Sequence, residues 1–332
     1  MHPLLRAAVE RQGGVFSALD ARRAGYDADE VQRLCASGRW RRLRRGIYTT
    51  PAVLDRAVEQ GRRLELDCLA VLVDLDRPSA AVSHGTAVRL LALPTRASAS
   101  EPVRLTDPTH NRRGRGFHVT RSPLDADEVS TRGALRLTAA PRALVDHARA
   151  GDLEDAVIAM DAALLAGKVT PGELARAAAR AGRWPGGPAA LRAVALADGR
   201  AESPLETRGR LRMVGAGLPT PELQVEIRVG GRLVAVVDGW FDDAAVAVEF
   251  DGRVKYTDPW RDRSPGQVLW EEKRREDALR ALDIRVVRIA DADVGPAWPV
   301  TEQRLRQLTS TPGPAERRFT VHPRMRGLRR SG

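Results

Sequence analysis

The twenty residues from Arg232 to Asp251 constrain this chain more than any other stretch. RLVAVVDGW (232–240) and AAVAVEFD (244–251) are β-branched, apolar runs separated by Asp242 and Asp243, the pattern of two buried strands around a short turn. A turn centred between Asp243 and Ala244 sets Asp238 opposite Glu249, and directly opposed like charges weaken a strand pair. Asp251 returns to the Glu249 face because side chains alternate along a strand. Three carboxylates at the exposed end of an apolar sheet make the oxygen-rich donor set that a hard cation such as Mg²⁺ or Mn²⁺ accepts. The competing reading is that Asp238, Glu249 and Asp251 mark where the strands reach solvent.

The flanks complete a unit. Leu223, Val225, Ile227 and Val229 alternate with Gln224, Glu226 and Arg228, a half-buried strand that turns at Gly230 and Gly231 into the hairpin. Before it, SPLETRGRLRMVGA (203–216) opens with Ser203 as cap, Pro204 at the first helical position and Glu206 three residues after the cap, and Gly217 ends the helix. Glu206 thus has a capping job available beside any chemical one. After the hairpin, 267–282 is a charged helix and IRVVRI (284–289) a last strand.

This αβββαβ order, with Glu206, Asp238 and Glu249-Phe250-Asp251, resembles the PD-(D/E)xK nuclease superfamily and, within it, the uncharacterised branch similar to very-short-patch repair endonucleases. The likeness covers residues 201–298 and includes an E-x-D-G signature at Glu249–Gly252. It implies a restriction-endonuclease-like core in which Asp238 and Glu249, with Asp251 beside them, hold Mg²⁺ or Mn²⁺. It further implies that Glu206 assists and that a lysine steadies the attacking water. Asp251 stands where that superfamily usually has its lysine, so the lysine comes from Lys255 or Lys273, or is absent. Of 54 basic residues only Lys168, Lys255 and Lys273 are lysine, and two of these flank the acidic cluster. An ammonium can lose its proton when its pKa is lowered, whereas a guanidinium does not. No histidine occurs from Gly151 to Val321, which excludes a mechanism assisted by a histidine of this core.

At the other end, 4–12 is helix-like, Ser17 can cap a second helix ending at Gly25, and Asp27 or Asp29 can start a third, closed by Gly38. RWRRLRRGIYTT (39–50) spaces Trp40, Leu43, Ile47 and Tyr48 around a turn at Gly46, a basic β-wing. Three short helices and a wing make a winged helix-turn-helix head. GGVFSALDARRAGY and SGRWRRLRRGIY within it resemble the N-terminal domain of AbiEi-type antitoxins of type IV toxin–antitoxin systems. That resemblance implies a third helix in the major groove of DNA, with the wing arginines Arg41, Arg42, Arg44 and Arg45 on phosphates or in the minor groove. Arg39 completes five arginines within seven residues, which repel one another without a polyanion. A solvated basic hairpin in a protein-binding domain is the alternative.

The expected organisation is therefore α/β and multi-domain, with four parts. A winged helix-turn-helix head occupies 1–52, and a mixed α/β middle domain of AbiEi-like type with its linker occupies 53–200. A restriction-endonuclease-like core follows at 201–298, and a basic tail at 299–332 is expected to lack fixed structure. In the middle, strands are expected at Val103–Thr106 and Phe117–Arg121, and 183–200 reads as a linker or weak helix. Residues 1–52 and 311–332 each carry a net charge of +5 out of a total of +11. Two basic ends on a nearly neutral body suit a polyanion partner. Neither end is a basic amphipathic helix, so a membrane is not the expected partner. Two cysteines and no signal-peptide core point to a reducing, cytoplasmic setting. Two functions remain open: a Mg²⁺-dependent DNA endonuclease in phage defence, or an antitoxin-like regulator whose degenerate nuclease fold binds a cognate toxin or a second copy of the chain.

Overall fold

Two aromatic side chains close the first fifty residues into a head. The structure, a computed structural model, describes residues 1–96, 98, 100–251 and 265–324, without the side chains of 265–269, 271 and 272. The head runs α1 (Pro3–Arg11), β1 (Val15–Ser17), α2 (Ala18–Arg23), α3 (Ala28–Ala36), β2 (Arg41–Arg44) and β3 (Ile47–Thr49). Ser17 starts α2 through a reciprocal box with Asp20, and Asp27 caps α3 by accepting from Glu30 N at 2.7 Å. The strands form one antiparallel sheet in the order β1-β3-β2. Phe16 and Trp40, buried with Leu5, Ala21 and Val31, meet edge to face at 4.8 Å. Strand β1 has no counterpart in the sequence reading, because three residues are too few for an alternation to register.

The head is not a separate body. Val15 and Ile47 enter a core shared with Leu66, Leu69, Leu105 and Phe117, and residues 1–159 and 167–195 form one compact unit. After β3 come α4 (Pro51–Glu59) and α5 (Arg63–Leu75), then β4 (Ala81–Val82), α6 (His84–Leu90), β5 (Val103–Asp107), β6 (Arg112–Gly114), β7 (Phe117–Arg121), β8 (Val129–Arg132) and β9 (Leu135–Thr138). These strands make a mixed sheet in the order β6-β7-β5-β4-β9-β8. Four helices follow: α7 (Ala140–Ala150), α8 (Leu153–Leu165), α9 (Pro171–Ala181) and α10 (Gly187–Leu196), the last within the expected linker.

The second unit comprises 160–166 and 196–332. Its elements are α11 (Pro204–Gly215), β10 (Glu222–Val229), β11 (Arg232–Phe241), β12 (Val246–Asp251), α12 (Pro265–Arg280), β13 (Arg285–Ala290), α13 (Trp298–Thr309) and β14 (Thr320–Pro323). The αβββαβ order expected from the sequence is present, and β13 runs parallel to β12. Val246, Val248 and Phe250 pack with Leu205 and Met213 of α11 and Leu305 of α13, whereas Ala245 and Ala247 pack with Leu279 of α12. Helix α11 lies so close to the sheet that a Cβ on Gly209 would stand 2.1 Å from the Phe250 ring. That contact sets the height of Glu206, three residues earlier. Arg210 of α11 is pinned at 2.8 Å to Asp161, and both are buried.

The expectation of an unstructured tail is corrected for 299–324. Helix α13 packs on the first face of the sheet through Leu305, and β14 adds an edge strand antiparallel to β10, pairing Val225↔Pro323 to Arg228↔Thr320. The basic composition concealed two apolar anchors: Leu305, and Phe319, which meets Trp240 edge to face at 5.9 Å. Among the described residues no helix is long and apolar enough to cross a membrane.

Phe319→Ala is expected to destabilise the second unit by about 3 kcal/mol in a urea melt, the usual cost of emptying a buried aromatic site. An unchanged midpoint would mean that the 311–324 segment does not pack.

Candidate carboxylate site and nucleic-acid interface

The β11–β12 ladder pairs Gly239↔Val248, Trp240↔Ala247 and Phe241↔Val246 and ends one step before Asp238 and Glu249. Beyond Gly239 a side chain takes over from the backbone: Asp238 Oδ2 accepts from Phe250 N at 2.8 Å. Across the other ladder Leu223↔Gly239 and Val225↔Val237 leave Gln224 opposite Asp238. Gln224 is buried with a left-handed φ of 53°, an unusual conformation for a side-chain-bearing residue within a strand. Its amide Nε2 donates to Glu206 Oε2 and to Asp238 Oδ1, each at 3.2 Å. One NH₂ with two hydrogens thus bridges two carboxylates. Arg324 fixes the orientation of that amide by donating to Gln224 Oε1 at 2.9 Å, and it also reaches Glu202 Oε1 at 2.9 Å.

The electrostatics tie the acids together. Burial, then the charge of Asp238, pushes the Glu206 carboxyl up to about 7, against the hydrogen bonds from Glu202 N, Ser203 and Gln224. Burial also raises Glu249, with Asp238 adding to it and the Arg275 and Arg288 charges opposing it. Arg275 Nη2 stands 3.2 Å from Glu249 Oε1 and Arg288 Nε 3.8 Å from Oε2. Arg288 also lies 3.7 Å from Asp251 Oδ2 and 2.9 Å from Glu276 Oε2. Asp238 thus acts on both Glu206 and Glu249, and Asp251 shares a guanidinium with Glu249.

Among the described residues no group of three His, Cys, Asp or Glu converges closely enough to hold a metal. Two guanidinium groups stand before Glu249 and Asp251, while Glu249 Oε1 is buried with no hydrogen-bond partner. Of the two lysine candidates Lys273 is exposed, and the α12 residue that reaches Glu249 is Arg275, two positions on. Lys255 lies outside the described residues. Glu206 does not close a full box with its cap; Ser203 Oγ accepts from Glu206 N at 3.2 Å, while its own carboxylate turns to Glu202 N at 2.8 Å and Gln224.

Gln224, Arg275, Arg288 and Arg324 were not foreseen. A one-residue bulge in β11, between Ile227↔Ala235 and Arg228↔Leu233, shifts the register by one. Counting from the Gly230–Gly231 turn without it places Gln224 opposite Val237 and turns its side chain away from Asp238.

In the head, Arg39, Arg41, Arg42 and Arg45 are exposed, as are Gln32 and Arg33 of α3. Arg44 is not available in the same way. Its guanidinium lies 3.1 Å from Asp74 and 4.9 Å over the Phe117 ring, and it donates to Arg115 O at 3.1 Å. It fastens the wing to the middle sheet.

Glu206 gives a pH test. Its folded pKa lies above the ordinary carboxyl value of 4.5, so the native state holds more protons than the unfolded chain between there and about 7. Its contribution to stability is present at low pH and is lost as pH rises through that window. Glu206→Gln is expected to flatten this part of a stability–pH curve and to stabilise the protein at pH 8. A wild-type curve with no slope that the substitution removes would refute the assignment.

Comparison with known proteins bears on the head and on part of the rest. Two uncharacterized proteins of Mycobacterium tuberculosis, MT2308 and Rv2248, are each 34% identical over 160 residues, 48% of this chain and 56% of theirs. The chain thus spans little more than half the length of the curated relatives it matches. The crystal structure of the RV2827C protein from Mycobacterium tuberculosis superposes with a TM-score of 0.38 at 14% identity, covering 67% of this chain and 82% of that one. Residues 3–51, the winged segment, match the family of AbiEi antitoxin transcriptional regulators.

Proposed function

We propose that the chain is a DNA-binding regulator of the antitoxin type, acting in a toxin–antitoxin or phage-defence setting. The reading rests chiefly on one observation: the segment that matches AbiEi antitoxin regulators folds as three helices and a wing with Arg39, Arg41, Arg42 and Arg45 exposed. In this reading α3 lies in the major groove, where Gln32 and Arg33 have the donor geometry that recognises adenine and guanine edges. Arg39, Arg41, Arg42 and Arg45 neutralise backbone phosphates, and Arg44 holds the wing at a fixed angle. The nuclease-like second unit then serves as a partner module, for a cognate toxin or a second copy of the chain. Its acids are balanced by Arg275 and Arg288 rather than by a metal.

The convergence of Glu206, Asp238 and Glu249 favours a second reading, a metal-dependent endonuclease that hydrolyses DNA phosphodiester bonds with Mg²⁺ or Mn²⁺. Incubating the full chain with mixed DNA and RNA substrates and either metal separates the two. The regulator reading expects no cleavage; the endonuclease reading expects cleavage that Asp238→Ala abolishes while DNA affinity stays nearly intact.

For the interface, replacing Arg41, Arg42 and Arg45 with Ala is expected to reduce the slope of log K against log salt by up to about 2.7, three phosphate contacts' worth. Binding with an unchanged slope would take the wing out of the interface.

A further inference from the structure

The β6–β7 hairpin of the middle sheet carries a basic run, NRRGRG (111–116), to which neither the head nor the carboxylate site gives a role. Gly114 pairs with Phe117, so Arg115 and Gly116 form a two-residue turn, and Gly116 takes a left-handed φ of 77° that glycine adopts without strain. A Cβ on Gly114 would stand 2.2 Å from the Phe117 ring, so the hairpin closes over that ring only with glycine there. Phe117 is buried in the core that also holds Ile47 of the wing. Hairpin and wing are thus anchored in one core.

Arg44 joins the two directly. Its guanidinium donates to the Arg115 carbonyl at 3.1 Å and lies 4.9 Å over the Phe117 ring, while the Arg112 guanidinium lies 5.7 Å over the same ring. Arg42 and Arg45 of the wing and Arg112 and Arg115 of the hairpin line a single cleft. Register sets Arg112 beside Val119, on the Phe117 side of the sheet, and Arg113 beside His118, on the other. Four arginines therefore share one surface, and Arg113 belongs to another.

The acids of that cleft are Asp67, Asp74 and Glu101, and each is already engaged. Asp74 meets Arg44 at 3.1 Å, Asp67 meets Arg63 at 3.0 Å, and Glu101 Oε1 accepts from Ser98 N at 3.2 Å. An anion is therefore excluded from the cleft itself and is met at its rim. There Arg42, Arg45, Arg112 and Arg115 are exposed, and among the described residues no carboxylate pairs with any of them. Like charges fixed side by side repel one another unless a polyanion meets them.

We infer that the DNA interface of this chain continues from the wing onto the β6–β7 hairpin, where Arg112 and Arg115 take phosphates of the same duplex that Arg42 and Arg45 contact. The inference rests on the regulator reading of the head and extends it. A duplex backbone is a line of regularly spaced charges, and a planar guanidinium matches each phosphate bidentately. Contacts of this kind fix the position of the protein on DNA and read no sequence. Because Arg44 ties the wing to the hairpin turn, the two pairs of arginines need little ordering relative to one another on binding.

Fluorescence anisotropy of the full chain on a mixed-sequence DNA duplex of about three helical turns, repeated at several chloride concentrations, tests it. Arg112→Gln together with Arg115→Gln is expected to reduce the slope of log K against log salt by about 1.8, two phosphate contacts' worth, on top of the loss from the wing substitutions. Arg113→Gln removes a charge from the opposite face of the same hairpin and is expected to leave the slope unchanged. If the wing substitutions lower the slope and the hairpin pair does not, the head reading stands and its extension to the hairpin is overturned. A fall from Arg113→Gln as large per residue as that from the pair marks a general charge effect and overturns it too. A wild-type chain that leaves the duplex unbound overturns both the extension and the head reading.

Discussion

The second unit depends on one carboxylate accepting one backbone amide. Asp238 Oδ2 takes Phe250 N where the β11–β12 ladder stops, and its other oxygen takes the Gln224 amide. A hydrogen bond to a charged group contributes about 1.5–3 kcal/mol, but its consequence here is positional. It parts two strands at the residue before Glu249 and keeps Asp238 within the field of both Glu206 and Glu249. Helix α11 can bring Glu206 to that point only because Gly209 lets it rest on Phe250.

Gathering acids in a buried place raises their pKa values unless cations follow. In this chain the cations are guanidinium groups from α12 and β13, Arg275 and Arg288. A guanidinium stays protonated and cannot take up or release the proton of an attacking water as a lysine can. It lowers the cost of gathering Glu249 and Asp251 without itself exchanging a proton. The same residue type is exposed along the wing of the head and faces the acids of the second unit.

The wing shows a comparable division of labour. Arg44 is spent on Asp74, Phe117 and the Arg115 carbonyl, and its neighbours stay outward. A head that shares its core with the sheet behind it presents its arginines at a fixed angle, so less ordering entropy is lost when a ligand binds.

Local pattern and local chemistry determined much of this protein. Ser17 and Asp27 as caps, the αβββαβ order and the hairpin register up to Gly239↔Val248, one step short of Asp238 and Glu249, all follow from alternation, capping and a short turn, which act over a few residues. Other features needed the folded chain. The β11 bulge that brings Gln224 to Asp238 moves the register by one residue and leaves no trace in the hydrophobic pattern. β1, β4 and β6 are too short to show a period, and β14 owes its place to Phe319 packing on Trp240 and to an open edge on β10. The choice of Arg275 and Arg288 over Lys273 as partners of Glu249 was likewise made in three dimensions. Side-chain reach across strands and helices depends on spatial proximity, and sequence spacing encodes that only within a single element.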